Sequence, residues 1–319
     1  MQRHDFLREI HQLAKPRNYL EIGVNDGTSL ALSHVPSIAI DPAFRITVPI
    51  ECDLRLVKAT SDAFFGEVDP LAHLHRNDGP APLDLAFIDG MHLFEFALRD
   101  FINVERYSTW STVIVLDDML PRNVDEAARE RHTHDWTGDV FKLIRVLARH
   151  RPDLLVVPID TEPTGVLVVL GADADNRALE TEYPRLLAEH VLPDPQVLPR
   201  TIVERSCAVA PEQVLDPFFW RELSRAREEG ASREEGVALL RERLPAPLAA
   251  DLDWSPAPVE IQRPVPAPVT ARPTKPSVSR PVERASWPRR TFRRVMPKTV
   301  RRAARWPARA VRRKLGQAS

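Results

Sequence analysis

Short apolar runs alternate with segments of helical period along the first 170 residues. The runs Tyr19–Gly23, Ser37–Asp41, Leu54–Ala59, Leu83–Asp89 (LDLAFID) and Thr112–Asp117 (TVIVLD) read as strands. Residues 4–15, Thr28–His34, a stretch from Asp62, and Leu93–Tyr107 carry helical spacing between them. Nearly continuous apolar strands separated by helices predict a parallel sheet covered on both faces. After Asp118 the rhythm changes. Asp139–His150 (DVFKLIRVLARH) places Val140, Leu143, Ile144 and Leu147 on one helical face. Asp153–Ile159 and Gly165–Leu170 then form two strands across the turn-like segment DTEPT, close enough for a hairpin. Residues 175–192 and 211–244 read as helical around a Pro-rich connector.

Composition changes this picture only at the C-terminal end. From Ser255 onward the chain holds 11 of its 30 prolines and no periodic apolar pattern, which predicts disorder. The same segment carries 17 Lys and Arg against two acids, leaving residues 1–254 with 27 basic against 43 acidic residues. An acidic body with a basic tail predicts two separate jobs. Cys52 and Cys207 lie far apart in no metal-like spacing, so neither a disulfide framework nor a zinc site is expected, which fits a reducing cytosol. The charged N-terminus is unlike a signal peptide, and no apolar run approaches the length that spans a bilayer.

The candidate chemistry begins at Glu21-Ile-Gly23-Val-Asn-Asp-Gly27-Thr-Ser29, which follows a strand and opens a predicted helix. Glycines let the backbone turn sharply and approach a ligand. A helix N-terminus offers free N–H groups and a positive dipole end to a carboxylate, and Ser29 adds a hydroxyl. The next strand ends at Asp41, placed to accept hydrogen bonds from ribose hydroxyls. A glycine turn in some other α/β fold, with Asp41 merely opening a loop, would read similarly. The spacing departs from the dinucleotide pattern G-x-G-x-x-G, which disfavours NAD.

Taken together, E-x-G-x-x-x-G-x-S followed by a strand-end acid resembles the motifs of class I S-adenosylmethionine (SAM)-dependent methyltransferases, over about Tyr19 to Leu170. The resemblance implies a Rossmann-like α/β sheet of seven strands with the last antiparallel. It implies that Glu21, Gly23, Gly27 and Ser29 surround the methionine part of SAM, that Asp41 holds the ribose, and that Ser61 lies near the adenine. The expected organisation is a SAM-dependent methyltransferase domain over 1–172, a helical extension over 173–254, and a disordered Pro/Arg-rich tail over 255–319.

Two further strands end in acids, Asp89-Gly-Met-His92 and Asp117-Asp118. Parallel strands bring these to one sheet edge, where three carboxylates repel unless a cation joins them or a proton is taken up. Oxygen ligands suit Mg²⁺ or a similar divalent ion. A metal would lower the pKa of a bound hydroxyl and orient it for in-line attack, and His92 could take its proton. The arrangement resembles the catechol-type and macrocin-type O-methyltransferases, in which Asp89, Asp117 and Asp118 match the metal positions. His92 stands where catechol-type enzymes carry a lysine base, and Met91 stands where sugar-type enzymes carry an acid. Acids at strand ends also cap helices and turns, and a histidine beside a helix dipole looks the same in sequence.

The stretch His132-Thr-His134-Asp135-Trp136-Thr137-Gly138-Asp139 is placed for a substrate lid, with Trp136 as an aromatic platform. Asp139 equally suits a cap for the helix from Val140. The expected activity is O-methylation of a hydroxyl on a small molecule or glycan, metal-assisted. The alternatives are a metal-independent methyltransferase using His92, or a non-catalytic SAM-fold module that anchors a partner. The tail has three Pro-separated basic units with Trp287, Phe292 and Trp306, which suit an anionic membrane surface better than nucleic acid. A solubilising tail with no fixed partner would read the same way. The implied location is the cytoplasm, with peripheral attachment at the inner membrane face.

Overall fold

The computed structural model describes residues 1–75, 79–244 and 253–258. Its centre is a seven-stranded sheet built from β1 (Tyr19–Ile22), β2 (Ser37–Ile40), β3 (Leu54–Val57), β4 (Leu83–Ile88), β5 (Ser108–Leu116), β6 (Leu155–Ile159) and β7 (Val166–Leu170). The order across the sheet is β3-β2-β1-β4-β5-β7-β6. β1 pairs in parallel with β2 and β4, β2 with β3, and β4 with β5, while β7 runs antiparallel to both β5 and β6. This is the Rossmann-like sheet with a reversed last strand that the resemblance to class I methyltransferases implied. Chain order turns back at β1 and β4, so the crevice beyond their carboxyl ends is the place a ligand would occupy.

Alternation along the strands sorts side chains into two apolar layers. Leu20, Ile22, Ala86, Ile88, Ile114 and Leu116 face one side. There α3 (Phe94–Glu105), α4 (Lys142–His150) and α5 (Ala178–His190) cover them with Phe101, Leu147 and Leu186 among others. Tyr19, Leu85, Phe87, Val113, Val115 and the alternate residues of β6 and β7 face the other. α1 (Arg3–Ala14) lies on that side through Phe6, Leu7, Ile10 and Ala14, an i, i+1, i+4, i+8 stripe. α7 (Pro217–Glu228) and α8 (Arg233–Arg243) complete it with Phe219, Trp220, Leu223 and Leu240.

Three sequence expectations need correction. The helix predicted over Thr28–His34 is only a short 3₁₀ turn at Leu30–Leu32. The Asp26 carboxylate accepts the Thr28 N–H, and the Ser33 hydroxyl shares a hydrogen bond with Ser37 while Pro36 blocks continuation, leaving too few residues for a helix. β5 begins at Ser108, not Thr112, because Thr112 turns its hydroxyl inward to the Leu83 carbonyl. Its first residues look polar in sequence yet are largely buried. Finally, the segment predicted to be disordered from Ser255 is paired at its start: Arg200 donates its N–H to the Ser255 carbonyl, and Ala257 donates to the Leu198 carbonyl. The aromatic and basic units of the tail lie outside the described residues. No helix among the described residues is long and apolar enough to cross a membrane.

Candidate active site

A cavity of about 790 Å³ opens at the carboxyl edge of the sheet. Gly23, Asp41 and Ser61 line one part, and Asp89, His92, Asp118 and Trp136 line another. One space thus holds the expected ribose acid and the expected proton-handling groups.

Gly23 shows why the cofactor end needs a glycine. Its φ is +89°, and a Cβ there would lie 1.8 Å from the Asp89 carbonyl oxygen. β1 and β4 are adjacent, so the loops leaving them touch backbone to backbone. Asp41, just beyond β2, accepts the Val24 and Asn25 N–H groups on Oδ2 (2.9 Å each) and the Ala43 N–H on Oδ1 (2.6 Å). A carboxylate has about four lone-pair sites, so one remains for a ribose hydroxyl. Only one ribose hydroxyl, not the two that the sequence predicts, finds a free site on it. Ser61 opens α2 (Ser61–Phe65), where the Thr60 hydroxyl caps the helix by accepting the Ala63 N–H. It also hydrogen-bonds Asp100.

Glu21, Gly27 and Ser29 do not line this cavity. Glu21 is fully buried and accepts hydrogen bonds from the Tyr19 phenol and the Ser29 hydroxyl, both at 2.7 Å. Gly27 faces Ile46 and Ile50. Without a helix after Gly27, no aligned helix dipole meets a ligand here. Burial pushes the Glu21 carboxyl up to about 8, against the hydrogen bonds from Tyr19 and Ser29 and with help from Asp89 and Asp41. A raised folded-state pKa gives stability that is present below the ordinary carboxylate range and lost as pH rises through 8. Glu21→Gln should therefore remove roughly 4–5 kcal/mol of the destabilisation seen between pH 5 and 9. Urea unfolding at several pH values checks this; the same pH dependence in variant and wild type would show Glu21 to be ionised throughout.

At the other end, Asp89, Asp117 and Asp118 do converge, but with partners supplied by the chain. His92 Nδ1 lies 2.8 Å from Asp118 Oδ2, and Nε2 lies 3.2 Å from Asp89 Oδ1. Burial opposes a charged His92, yet hydrogen bonds to Asp118 and Asp89 carry its pKa well above the ordinary value. Thr164 donates its hydroxyl to Asp118 Oδ1 (2.6 Å). Asp117 turns away from His92: its Oδ1 accepts the Asp118 N–H, and its Oδ2 pairs with Arg3. Burial, reinforced by Asp118 and Asp89, raises Asp117, while Arg3 opposes the rise. His92 and Asp118 both have positive φ, 55° and 62°. Backbone held in that region signals a local arrangement enforced by its surroundings.

Segment 132–139 forms part of the cavity wall. Trp136 stacks on His92 (centroids 5.1 Å apart, 10° between planes), and its carbonyl lies 3.1 Å from His92 Nδ1. A Cβ at Gly138 would fall 1.6 Å from the His92 carbonyl oxygen. Asp139 caps α3, not the helix that follows it, by accepting the Phe94 N–H, and it binds Arg129 and Lys142. Asp135 binds Arg122. His132 and His134 stand apart from the central aspartates, on Asp125 and Asp135.

Sequence reading missed two residues here. Arg3 comes from the first turn of α1, and no local pattern announces it. Asp100 sits on the apolar face of α3 between Ala97 and Phe101; an acid breaking such a stripe is a readable signal. Burial pushes it up to about 7, against the Ser61 hydrogen bond.

A divalent ion is a test of this donor set. One atom each from Asp89, His92 and Asp118 lies within 4.8 Å of the others, a spacing one ion could bridge. Asp117, expected as a ligand, is not in that group. Moreover, five of the six oxygens of the three aspartates lie within 3.2 Å of a protein donor: His92 for Asp89, His92 and Thr164 for Asp118, Arg3 and the Asp118 N–H for Asp117; Arg3 lies 3.6 Å from the sixth, Asp89 Oδ2. With both His92 nitrogens on carboxylates as well, a metal ion would have to displace His92 and compete with Arg3 to bind here.

No family model matches the sequence, and no curated protein is significantly similar to it. Among solved structures, the chain is similar to an O-methyltransferase from Bacillus cereus in complex with SAH, at 16% identity, covering 52% of this chain and 79% of that one, with a TM-score of 0.38. It is also similar to the O-methyltransferase TomG from Streptomyces achromogenes, involved in tomaymycin synthesis and bound to SAM (18% identity, 52% and 78% coverage, TM-score 0.39). A third is a putative O-methyltransferase from Klebsiella pneumoniae (16%, 52% and 78%, 0.36). Likeness at this level says nothing about substrate or mechanism, which follow from the site's own residues.

Proposed function

We propose that the chain is a SAM-dependent methyltransferase that methylates a hydroxyl on a small molecule or glycan. The observation that carries this reading is the single cavity joining Gly23, Asp41 and Ser61 to Asp89, His92 and Trp136. Bound SAM supplies an electrophilic methyl group on a sulfonium. Gly23 gives the cofactor close access to the backbone, Asp41 takes a ribose hydroxyl on its free lone pair, and Ser61 borders the base. Trp136, stacked on His92 and with the Arg131 guanidinium 5.8 Å from its ring centre, borders the acceptor end of the cavity beside the acids. The acceptor oxygen loses its proton as it bonds to the methyl carbon, and the sulfonium's sulfur–carbon bond would break with its electron pair passing to sulfur, leaving SAH. Asp89 accepts that proton on the cavity side, with His92 behind it holding the carboxylate in place. His92 thus acts through Asp89, since both its nitrogens are taken. The Mg²⁺ suggested by resemblance has no part in this scheme, in which Arg3 and His92 supply the positive charge beside the aspartates.

Calorimetric titration with SAM tests the cofactor half directly. Asp41→Ala should weaken binding by about 1–3 kcal/mol, since a hydroxyl loses a charged acceptor and the Val24–Asn25 turn loses its anchor. Unchanged affinity would remove Asp41 from the site, and no SAM binding by the wild type would overturn the reading. SAM binding without SAH release across a broad panel of hydroxyl acceptors would favour a non-catalytic module.

A further inference from the structure

We infer that the Arg3 guanidinium takes the place of a metal ion among the strand-end aspartates, so that this site carries its cation on its own chain. Arg3 Nη1 pairs with Asp117 Oδ2 and lies 3.6 Å from Asp89 Oδ2, between two of the three carboxylates. Two carboxylates this close to a third demand a positive partner, and the guanidinium is one.

The position is built, not incidental. The backbone around Arg3 is pinned to the β6–β7 turn: Arg3 donates its N–H to the Glu162 carbonyl, and Glu162 donates its own to the Met1 carbonyl. The turn is held in its own right by Arg205, whose guanidinium binds Asp160, the Thr161 carbonyl and the Pro163 carbonyl. The next residue, Thr164, bonds Asp118. One turn therefore places both the cation and a donor for the third aspartate. The apolar stripe of α1 fixes the rest of the helix against the sheet.

The chemistry differs from that of a metal. A guanidinium stays protonated across the working pH range and offers a fixed fork of N–H donors. It cannot be chelated away, and it brings no exchangeable water. Arg3 also lines the cavity. It is a positioning residue in this scheme: it holds Asp117 and Asp89 so that Asp89 meets the acceptor in one orientation. The inference concerns the ionic cluster alone and stands whether or not the acceptor is a hydroxyl.

Mn²⁺ binding, followed by electron paramagnetic resonance on the full chain without SAM or acceptor, tests it. The wild type should bind no Mn²⁺ at the cluster, and EDTA should leave its SAM affinity unchanged. Arg3→Met keeps much of the length of the side chain and removes the charge. It should bind Mn²⁺ at least about tenfold more tightly than wild type, because a like charge has left the site. Adding Asp89→Asn to it should abolish that binding. Arg3→Gln, which retains an N–H donor for Asp117, gives the same test if Arg3→Met does not fold. Stoichiometric Mn²⁺ binding by the wild type that is lost in Asp89→Asn overturns the inference. So does a folded, charge-free Arg3 variant that binds Mn²⁺ no better than wild type. SAM titration on the same samples separates either failure from a failure of the cofactor reading.

Discussion

Gly23→Ala is expected to abolish measurable SAM binding and to lower stability by about 3–5 kcal/mol. Two costs combine. An alanine at φ +89° is strained whatever space surrounds it. Its methyl would also sit 1.8 Å from the Asp89 carbonyl oxygen, a backbone atom that no rotamer change can move. Relief requires parting the loops after β1 and β4, yet Gly23 N–H is bonded to Ile40 and Asp89 N–H to Ile22. The displaced loop includes the Val24 and Asn25 N–H groups that orient Asp41, so the ribose site is lost with the fold's local geometry. Thermal unfolding and SAM titration on the same sample check this. A Gly23→Ala variant with wild-type melting temperature and affinity would show that the two loops do not touch.

Asp89→Asn is expected to lower turnover by roughly 10²–10⁴-fold, the scale of general-base catalysis. An amide keeps the shape of the side chain but cannot accept the acceptor's proton. It also withdraws a negative charge from His92 and Arg3, which are then left with Asp118 and Asp117. SAM affinity should change little, because Asp41 and the Gly23 loop lie at the other part of the cavity. The loss should appear in kcat more than in the KM for SAM. A variant retaining more than about a tenth of wild-type turnover would place the proton acceptor elsewhere. Asp100, also on the cavity and held up to about 7 by burial, would be next to examine.

The sheet was legible because strands covered on both faces must be apolar at nearly every position, as in LDLAFID and TVIVLD. The four strand-end aspartates were legible for a related reason: residues that follow parallel strands collect at one edge, so Asp41, Asp89, Asp117 and Asp118 had to line the same edge. Their partners were not. Whether a cation among them is a metal or Arg3 depends on how α1 packs, and the stripe Phe6, Leu7, Ile10, Ala14 gives the buried face of that helix without saying which strand end its first turn meets. The glycine motif misled in one respect. Its spacing suggested a helix opening onto the ligand, but the local hydrogen bonds of Asp26 and Ser33, with Pro36 close behind, leave room for a single turn. Glu21 matched the motif and yet points into the apolar layer beside Tyr19, because β1 is buried on both faces and residues two apart on a strand share a side.

The layer formed by α1, α7 and α8 has a consequence for how the polypeptide is made. Two helices about 200 residues apart in sequence come to rest against each other: Ser224 and Arg227 of α7 reach the carbonyls of Ala14 and Lys15 at the end of α1. Both α7 and α8 also lie against β5, with Gly236 of α8 packed on the Trp110 ring. A nascent chain that has emerged only through β7 has the whole sheet available to form, but one apolar face is still without most of its cover. During that interval α1 has half a seat. The ribosome must deliver residues beyond Pro217 before α1, and with it Arg3, can be clamped where the aspartates need it.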